Sequence, residues 1–484
     1  MSPPPSAGAP TTGAATARSA AVDDRALFGH PRGLGLLFLA EMWERFSYYG
    51  MRALLVLYMV HVLKWTDARA DNLYGSYTGL TFLTPLFGGY LADKWIGTRR
   101  SLVIGGLIIS AGHFVLALDS MVTFYLGLGL VVLGTGFFKP NVSTMVGQLY
   151  QPGDQRRDAG FTIFYMGINL GGFIAPLVTG YLAQGAGFQA VLVRAGLNPA
   201  RSWSWGFGAA GVGMLCGLAL YLWLRDRLLP GIGVRAGAAA DPRTRAGAPG
   251  TASIPTGLTS DERRRVTALF IMFLFVACFW LVYEQGGSSL NLFADRYTDL
   301  HIGGWAMPSS YFQSAQPLFV ILLAPLFAYM WGRLRTAGRE PSTPAKMVLG
   351  LALLAVGCLF LLAGGRAVDA CLGTRAATEC AVASPAWLTL FYLLSVCGEL
   401  CVSPVGLSYV TKVAPVRYVA FVMGAWFLTN ASGLKLAGYV ASLAPRMPSQ
   451  VAFFTIPLVI AGVAAVLLFV CVPTLKRLTT SATM

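Results

Sequence analysis

The chain has 484 residues, 55% of them apolar and 12% charged, with a formal net charge of +15 and a mean hydropathy of +0.61. Soluble globular chains average about 25% charged residues, and one of this length would divide into roughly three domains. A chain this apolar cannot cover its surface with polar groups in water, which excludes a soluble multidomain protein and leaves a polytopic membrane protein.

The positive charge does not point to nucleic acid, because Lys and Arg in short cytoplasmic loops orient membrane proteins. Of eight Cys, Cys216, Cys278, Cys358, Cys397, Cys401 and Cys471 lie in apolar runs, where Cys acts as a small hydrophobe. Cys371 and Cys380 share one polar loop, and a disulfide there needs an oxidising compartment. No Cys/His spacing suggests a metal, and no cofactor is expected beyond protons as a coupling ion.

Residues 1–27, rich in Pro, Ala, Ser and Thr, read as a disordered cytoplasmic tail. Twelve spans follow near 33–62, 72–96, 99–118, 121–149, 159–185, 203–224, 264–293, 309–335, 345–365, 385–411, 415–443 and 449–474, each long enough for about 20 helical residues. The fold class is all-α, with a six-helix bundle over 28–224, a linker over 225–262, a second bundle over 263–476 and a tail over 477–484. Alternate loops are basic (Lys94/Arg99/Arg100, Arg156/Arg157, Arg225 to Arg265, Arg333/Arg335/Arg339, Lys412/Arg417 and Lys476/Arg477), whereas the others hold little more than Asp119 or Arg446. The positive-inside rule places both termini and the linker in the cytoplasm. Cys371 and Cys380 then face outside, which favours their pairing.

The halves resemble each other. FLAEMW (38–43) reads like FVACFW (275–280), with Gly50 and Gly287 at equal distance beyond each Trp. The second and eighth spans share Pro-Leu-Phe at 85–87 and 325–327, and the fourth and tenth share a Gly with a Pro six residues on, at Gly134–Pro140 and Gly398–Pro404. Two similar six-helix halves are a transporter's plan, with the site at the midplane between them.

An ionisable residue inside a span costs several kcal/mol unless paired or hydrated. In the first span Glu41, Glu44, Arg45, Tyr48 and Arg52 fall at helical spacing on one face, which must turn to the bundle interior. Tyr49 faces elsewhere on that helix. Lys139 stands in the fourth span before Pro140, Glu284 in the seventh on a face with Trp280, Tyr283 and Gly287, and Glu399 in the tenth one turn before Ser403. Four acids thus meet three bases, and the odd carboxylate can take and lose a proton. Fixed ion pairs that hold helices together are the plainer account of any one pair. Seven charges on four spans favour transport. His113, alone in an apolar span, reads as a satisfied core histidine.

Glu-x-x-Glu-Arg-Phe-Ser-Tyr-Tyr-Gly at 41–50 resembles the first-span signature of the proton-dependent oligopeptide transporters, a branch of the major facilitator superfamily. Gly88-Gly89-Tyr90-Leu91-Ala92-Asp93 with Ile96-Gly97 and Arg99-Arg100, the run Phe161 to Phe173 around Asn169, and Gly398-Glu399-Leu400 with Ser403-Pro404 resemble that family's second, fifth and tenth spans. The likeness covers about residues 33 to 445.

It implies a major facilitator fold and a bacterial inner-membrane symporter of di- and tripeptides. Glu41, Glu44 and Arg45 would couple protons, exchanging a salt bridge with Lys139. Arg52 and Glu284 would form an outer gate, with Glu284 a protonation site. Arg52 and Lys139 would hold the peptide carboxylate and Glu399 its amine, while Tyr48, Tyr77, Asn169 and Trp426 would line the pocket. Asp93 with Arg99 and Arg100 would clamp the cytoplasmic side as a gate. Where the family has Asn-Pro in the eighth span, this chain has Gln316-Pro317; Gln316 offers similar amide hydrogen bonds and is one methylene longer. Gly75 replaces the second-span His of animal members, and 225–262 is too short and polar for the two extra helices of most bacterial members, so twelve spans are expected.

Other readings are weaker. Nitrate, an amino acid or another organic anion would be repelled by Glu399. A membrane-embedded enzyme would need a catalytic constellation that no motif supplies, and a sensor would need an informative soluble domain. Small peptides and the bilayer are the expected partners, with no nucleic acid, and the chain is expected to be a monomer.

Overall fold

The computed structural model describes residues 29–151, 154–234, 258–415 and 418–479. The tail expected over 1–27, most of the linker, Arg417 and the final residues 480–484 lie outside the described residues. Lipid offers the backbone no hydrogen-bond partner, so a spanning chain must satisfy its amides within helices. The first half contains α1 (Arg32–His61), α2 (Asp67–Leu91), α3 (Thr98–Leu116), α4 (Met121–Gln148), α5 (Arg157–Gln184), a short α6 (Ala186–Arg194) and α7 (Ser202–Leu228). The second contains α8 (Ser260–Tyr283), a short α9 (Ser289–Tyr297), α10 (Ala315–Thr336), α11 (Thr343–Leu372), α12 (Pro385–Val413), α13 (Val419–Ala441) and α14 (Gln450–Thr479). Among the described residues nine helical segments are long and apolar enough to cross a membrane by composition alone. The other long helices, α1, α2 and α13, carry the polar residues that the bundle interior buries.

Local signals set several boundaries. Ser120 with Thr123 opens α4, and Thr259 with Glu262 opens α8, each through a reciprocal capping box that satisfies otherwise orphaned N–H groups. Helix α7 runs to Leu228, past the start expected for the linker at 225. The segment after it folds back on α3. Arg99 donates to the carbonyls of Leu229 and Ile232, and Thr98 Oγ1 to that of Gly233.

The helices pack by the same scheme in each half. Helix α1 lies against α5 and α7, as α8 lies against α13 and α14; α3 lies against α4 and α7, as α11 lies against α12 and α14. The halves meet through α2 on α13 and α5 on α10. At the first of these seams a Cβ on Gly75 would stand 2.8 Å from Gly438 Cα, so only glycine lets the two helices approach this closely. Helix α10 is the least covered span, with 11% of its most apolar stretch buried by protein.

The seventh span is broken. Helix α8 stops at Tyr283, Glu284–Gly287 form a 3₁₀ turn, and α9 resumes at Ser289. A Cβ on Gly287 would collide with the Tyr74 hydroxyl. Beyond α9 a two-stranded hairpin pairs His301 with Ala306. Neither the break nor the hairpin was expected from hydropathy.

Hydrogen bonds between described residues of the two halves fall at mid-depth or toward the charge-poor end. His61 meets Asp295 at 2.6 Å, Arg296 grips Asp67 at 2.5 and 2.7 Å, Asn291 Nδ2 donates to the Ala53 carbonyl at 2.9 Å, and Gln184 Nε2 donates to Ser309 Oγ at 2.9 Å. That end of the bundle is sealed. Cys371, in the last turn of α11, forms a disulfide with Cys380 in the loop before α12, at the same end.

Candidate functional site

Between the halves lies a cavity of about 210 Å³. Its walls bring together Glu41, Arg45, Tyr48, Arg52, Lys139, Asn169, Glu284, Gln316, Glu399 and Ser403, which the sequence places on α1, α4, α5, the α8 break, α10 and α12. A stripe at helical spacing on α1 supplies the first wall. Arg45 Nε stands 3.0 Å from Glu41 and in ionic contact with Glu44, and all three side chains are buried. Neither contact has hydrogen-bond alignment, so this is an electrostatic cluster.

Arg52, two turns along, pairs with Glu284 across the halves, and its Nε donates to the Tyr74 hydroxyl at 2.5 Å. The break after Tyr283 lets Glu284 project here from an otherwise apolar span.

Lys139 and Glu399 differ from these. Lys139 forms no ion pair among the described residues; its ammonium lies 4.0 Å from the Phe82 ring centroid, within the influence of Arg45, Glu44 and Glu41. Among the described residues Glu399 has no basic partner and accepts one hydrogen bond, from the Tyr283 hydroxyl at 2.5 Å. One cavity therefore exposes a cation and an anion, each without a charged protein partner. Gln316 Nε2, Trp280 Nε1 and Asn430 Oδ1, on residues of its wall, also find no hydrogen-bond partner among the described residues.

Comparison with known proteins decides the family. The model of the POT family matches residues 99–226 and 251–459. The chain belongs to the POT family. It is 37% identical to the uncharacterized transporter YclF of Bacillus subtilis, over 94% of this chain and 96% of that protein. It is 35% identical to the peptide transporter YePEPT of Yersinia enterocolitica, over the same shares of both chains. Among solved structures, a mutant peptide transporter POT in complex with alafosfalin superposes with a TM-score of 0.80 at 35% identity, covering 95% of this chain and 98% of that one. This POT family protein is an all-α membrane transporter with the major facilitator fold.

The structure redraws parts of the site in this POT family chain. Tyr49 lines the cavity beside Tyr48, its ring 5.8 Å from the Arg52 guanidinium. Helix α1 is buried on nearly every side, so a second face also looks inward. Tyr77 and Trp426 are buried but do not stand on the cavity wall. The Trp426 ring packs edge-on to Phe273 at 5.8 Å, over Gly406. Asp93 is exposed in a π-helical turn after α2, and Arg99 turns instead to Asp226 at 3.0 Å and the post-α7 segment. His113 makes a 2.6 Å hydrogen bond with Ser47.

Tyr165, Gln313 and Asn430 line the cavity and carried no sequence expectation. Asn430 was discoverable as a lone amide within an apolar span; Gln313 became visible only when its Nε2 met the Gly286 carbonyl at 2.6 Å.

Proposed function

We propose that this protein is a proton-coupled symporter that imports di- and tripeptides by alternating access. The observation that carries the reading is the pair of unpartnered opposite charges, Lys139 and Glu399, on one cavity between two similar halves. A peptide zwitterion complements both. Lys139, with Arg52, takes the carboxylate and Glu399 takes the amine, while Tyr48, Asn169, Gln316 and Ser403 contact the body of the ligand. Charge-assisted bonds to groups that every peptide carries account for tolerance of side chains. The peptide transporter of Yersinia enterocolitica and the alafosfalin complex support the cargo.

Glu41, Glu44 and Arg45 form the coupling cluster. A proton on either acid weakens the hold on Arg45 and changes the field at Lys139. A proton on Glu284 releases Arg52 and with it the seal between the halves. Asp93 belongs to the opposite, cytoplasmic side. Both termini lie in the cytoplasm of a bacterial cell and the sealed end outside, a reading that the basic loops support; the described arrangement then faces inward, with the chain working as a monomer. Each proton entering down 100 mV contributes about 2.3 kcal/mol.

The test is uptake of labelled di-alanine into proteoliposomes with an inward proton gradient and an inside-negative potential. Accumulation that tripeptides compete away and free alanine does not is the expected result. Absence of accumulation in folded protein would overturn the cargo and leave the fold.

A further inference from the structure

A second ionisable site lies at the sealed end, around a residue that falls just before the expected second span. Helix α2 starts at Asp67, so Asp71 is one turn inside it and faces the seam between the halves. Asp71 is 1% exposed, and neither carboxylate oxygen receives a hydrogen bond among the described residues. It borders a separate cavity of about 100 Å³, shared with Asp67 on the same helix and with Ser289, Arg296, Tyr297 and Gln450 from the other half. The one base on that wall is committed: both terminal nitrogens of Arg296 donate to Asp67. Ser289 directs its hydroxyl to Gln285 at 2.6 Å, away from Asp71.

An uncompensated buried carboxylate costs several kcal/mol, and Asp67 one turn earlier adds a like charge. A bound proton removes that cost. Parting of the halves at this end opens the cavity, because its two walls belong to different halves. We propose that Asp71 is a proton-binding latch on the outer seam, filled when the seam closes and emptied to the same side when it opens. It rests on the alternating-access reading and on the sealed end lying outside the cell, as given above. Since the proton enters and leaves on one side, the latch does not alter the ratio of protons to peptide. It makes outer acidity hold the seam shut, and so slows return of the empty carrier.

The other ionisable groups around Asp71 are few. Asp67 and Arg296 act on it directly, and Tyr297 stands on the cavity wall. Lys435 of α13 is held by Ser76 Oγ at 2.7 Å, and Arg446 is exposed on the neighbouring turn. His61 with Asp295 is a separate titratable pair on the same seam.

The experiment reads seam opening directly. Genetically encoded ketone side chains at Leu118 and Val382, both exposed at this end on opposite halves, carry a fluorescent donor and acceptor in nanodiscs. For the chain with Asp71 intact, the closed-to-open ratio is expected to change up to tenfold per pH unit as one proton is linked to closure. Asp71→Asn, which keeps the shape and removes the titration, is expected to remove the closing slope, leave only the opposite, acid-opened response of the Arg52–Glu284 pair, and favour closure at high pH. Asp71→Ser serves if the amide variant does not fold. His61→Gln, made alongside, removes the other titrating group on the seam, and the slope assigned to Asp71 is expected to survive it. An unchanged slope in Asp71→Asn or Asp71→Ser, or closure at every pH in the intact chain, overturns the latch. Failure of di-alanine uptake with a pH-linked seam intact sinks the cargo alone.

Discussion

Glu399 and Lys139 are the residues on which a zwitterion reading stands or falls. Removing the acid leaves the ligand amine without its charged partner, and hydrogen bonds to charged groups contribute about 1.5–3 kcal/mol. Glu399→Ala is therefore expected to weaken binding of an unmodified dipeptide about tenfold to a hundredfold, measured by calorimetry in detergent; unchanged affinity would remove Glu399 from the amine site. Lys139→Ala and Glu44→Gln are expected to abolish gradient-driven uptake while peptide exchange stays measurable in the same vesicles. Driven uptake at the normal rate in both would sink the coupling cluster. These residues were legible because charge is expensive in a span, so each one announces an interior position. Tyr49 was misjudged because a one-face argument assumes that the opposite face meets lipid, and α1 is enclosed. Asp71 was missed because the apolar run begins after it, although the helix begins before.

Between elements, the connection from α10 to α11 shows how a loop can be tied at a membrane boundary. Glu340 accepts from Arg335 Nε at 2.8 Å and from the buried Lys346 ammonium at 2.6 Å. Those donors, Arg335 first, lower its carboxyl to about 2. A Glu titrates near 4.3 when unfolded, so this pairing contributes stability above that pH and loses it as pH falls toward the folded value. Glu340→Gln is expected to melt below the native chain at neutral pH, with the gap closing between about pH 4 and pH 2. A gap that does not change with pH would show that Glu340 acts by packing instead. Most helix limits were readable, since runs of about 20 apolar residues and capping pairs are local signals. The α8 break was not, because what fixes it is distant: Glu284 is held by Arg52 from the other half, and Gln313 ties down Gly286.

For the whole molecule, the two-half plan followed from repeated words such as those around Trp43 and Trp280, and the packing repeats with them. What no repeat could disclose is which end is shut, since that is a difference between two packings of one sequence and depends on cross-half contacts. The Cys371–Cys380 bridge offers an independent measure of sidedness. It closes a sequence separation of 9 residues, a short loop that on the chain-entropy model is worth up to about 2–3 kcal/mol. A membrane-impermeant phosphine applied outside intact cells is expected to free both thiols and lower the melting temperature. Reduction achieved only from the cytoplasmic face would invert the orientation.

Helix α10 brings a different consequence. A span with only 11% of its most apolar stretch fully buried presents much of its surface to lipid, and its tilt must answer to the thickness of the hydrocarbon around it. Mismatch costs fractions of a kcal/mol per Å, small beside a folding energy but comparable to the balance between two carrier states. Acyl-chain length should therefore bias which way this transporter rests, with the bilayer acting as an effector that binds no pocket.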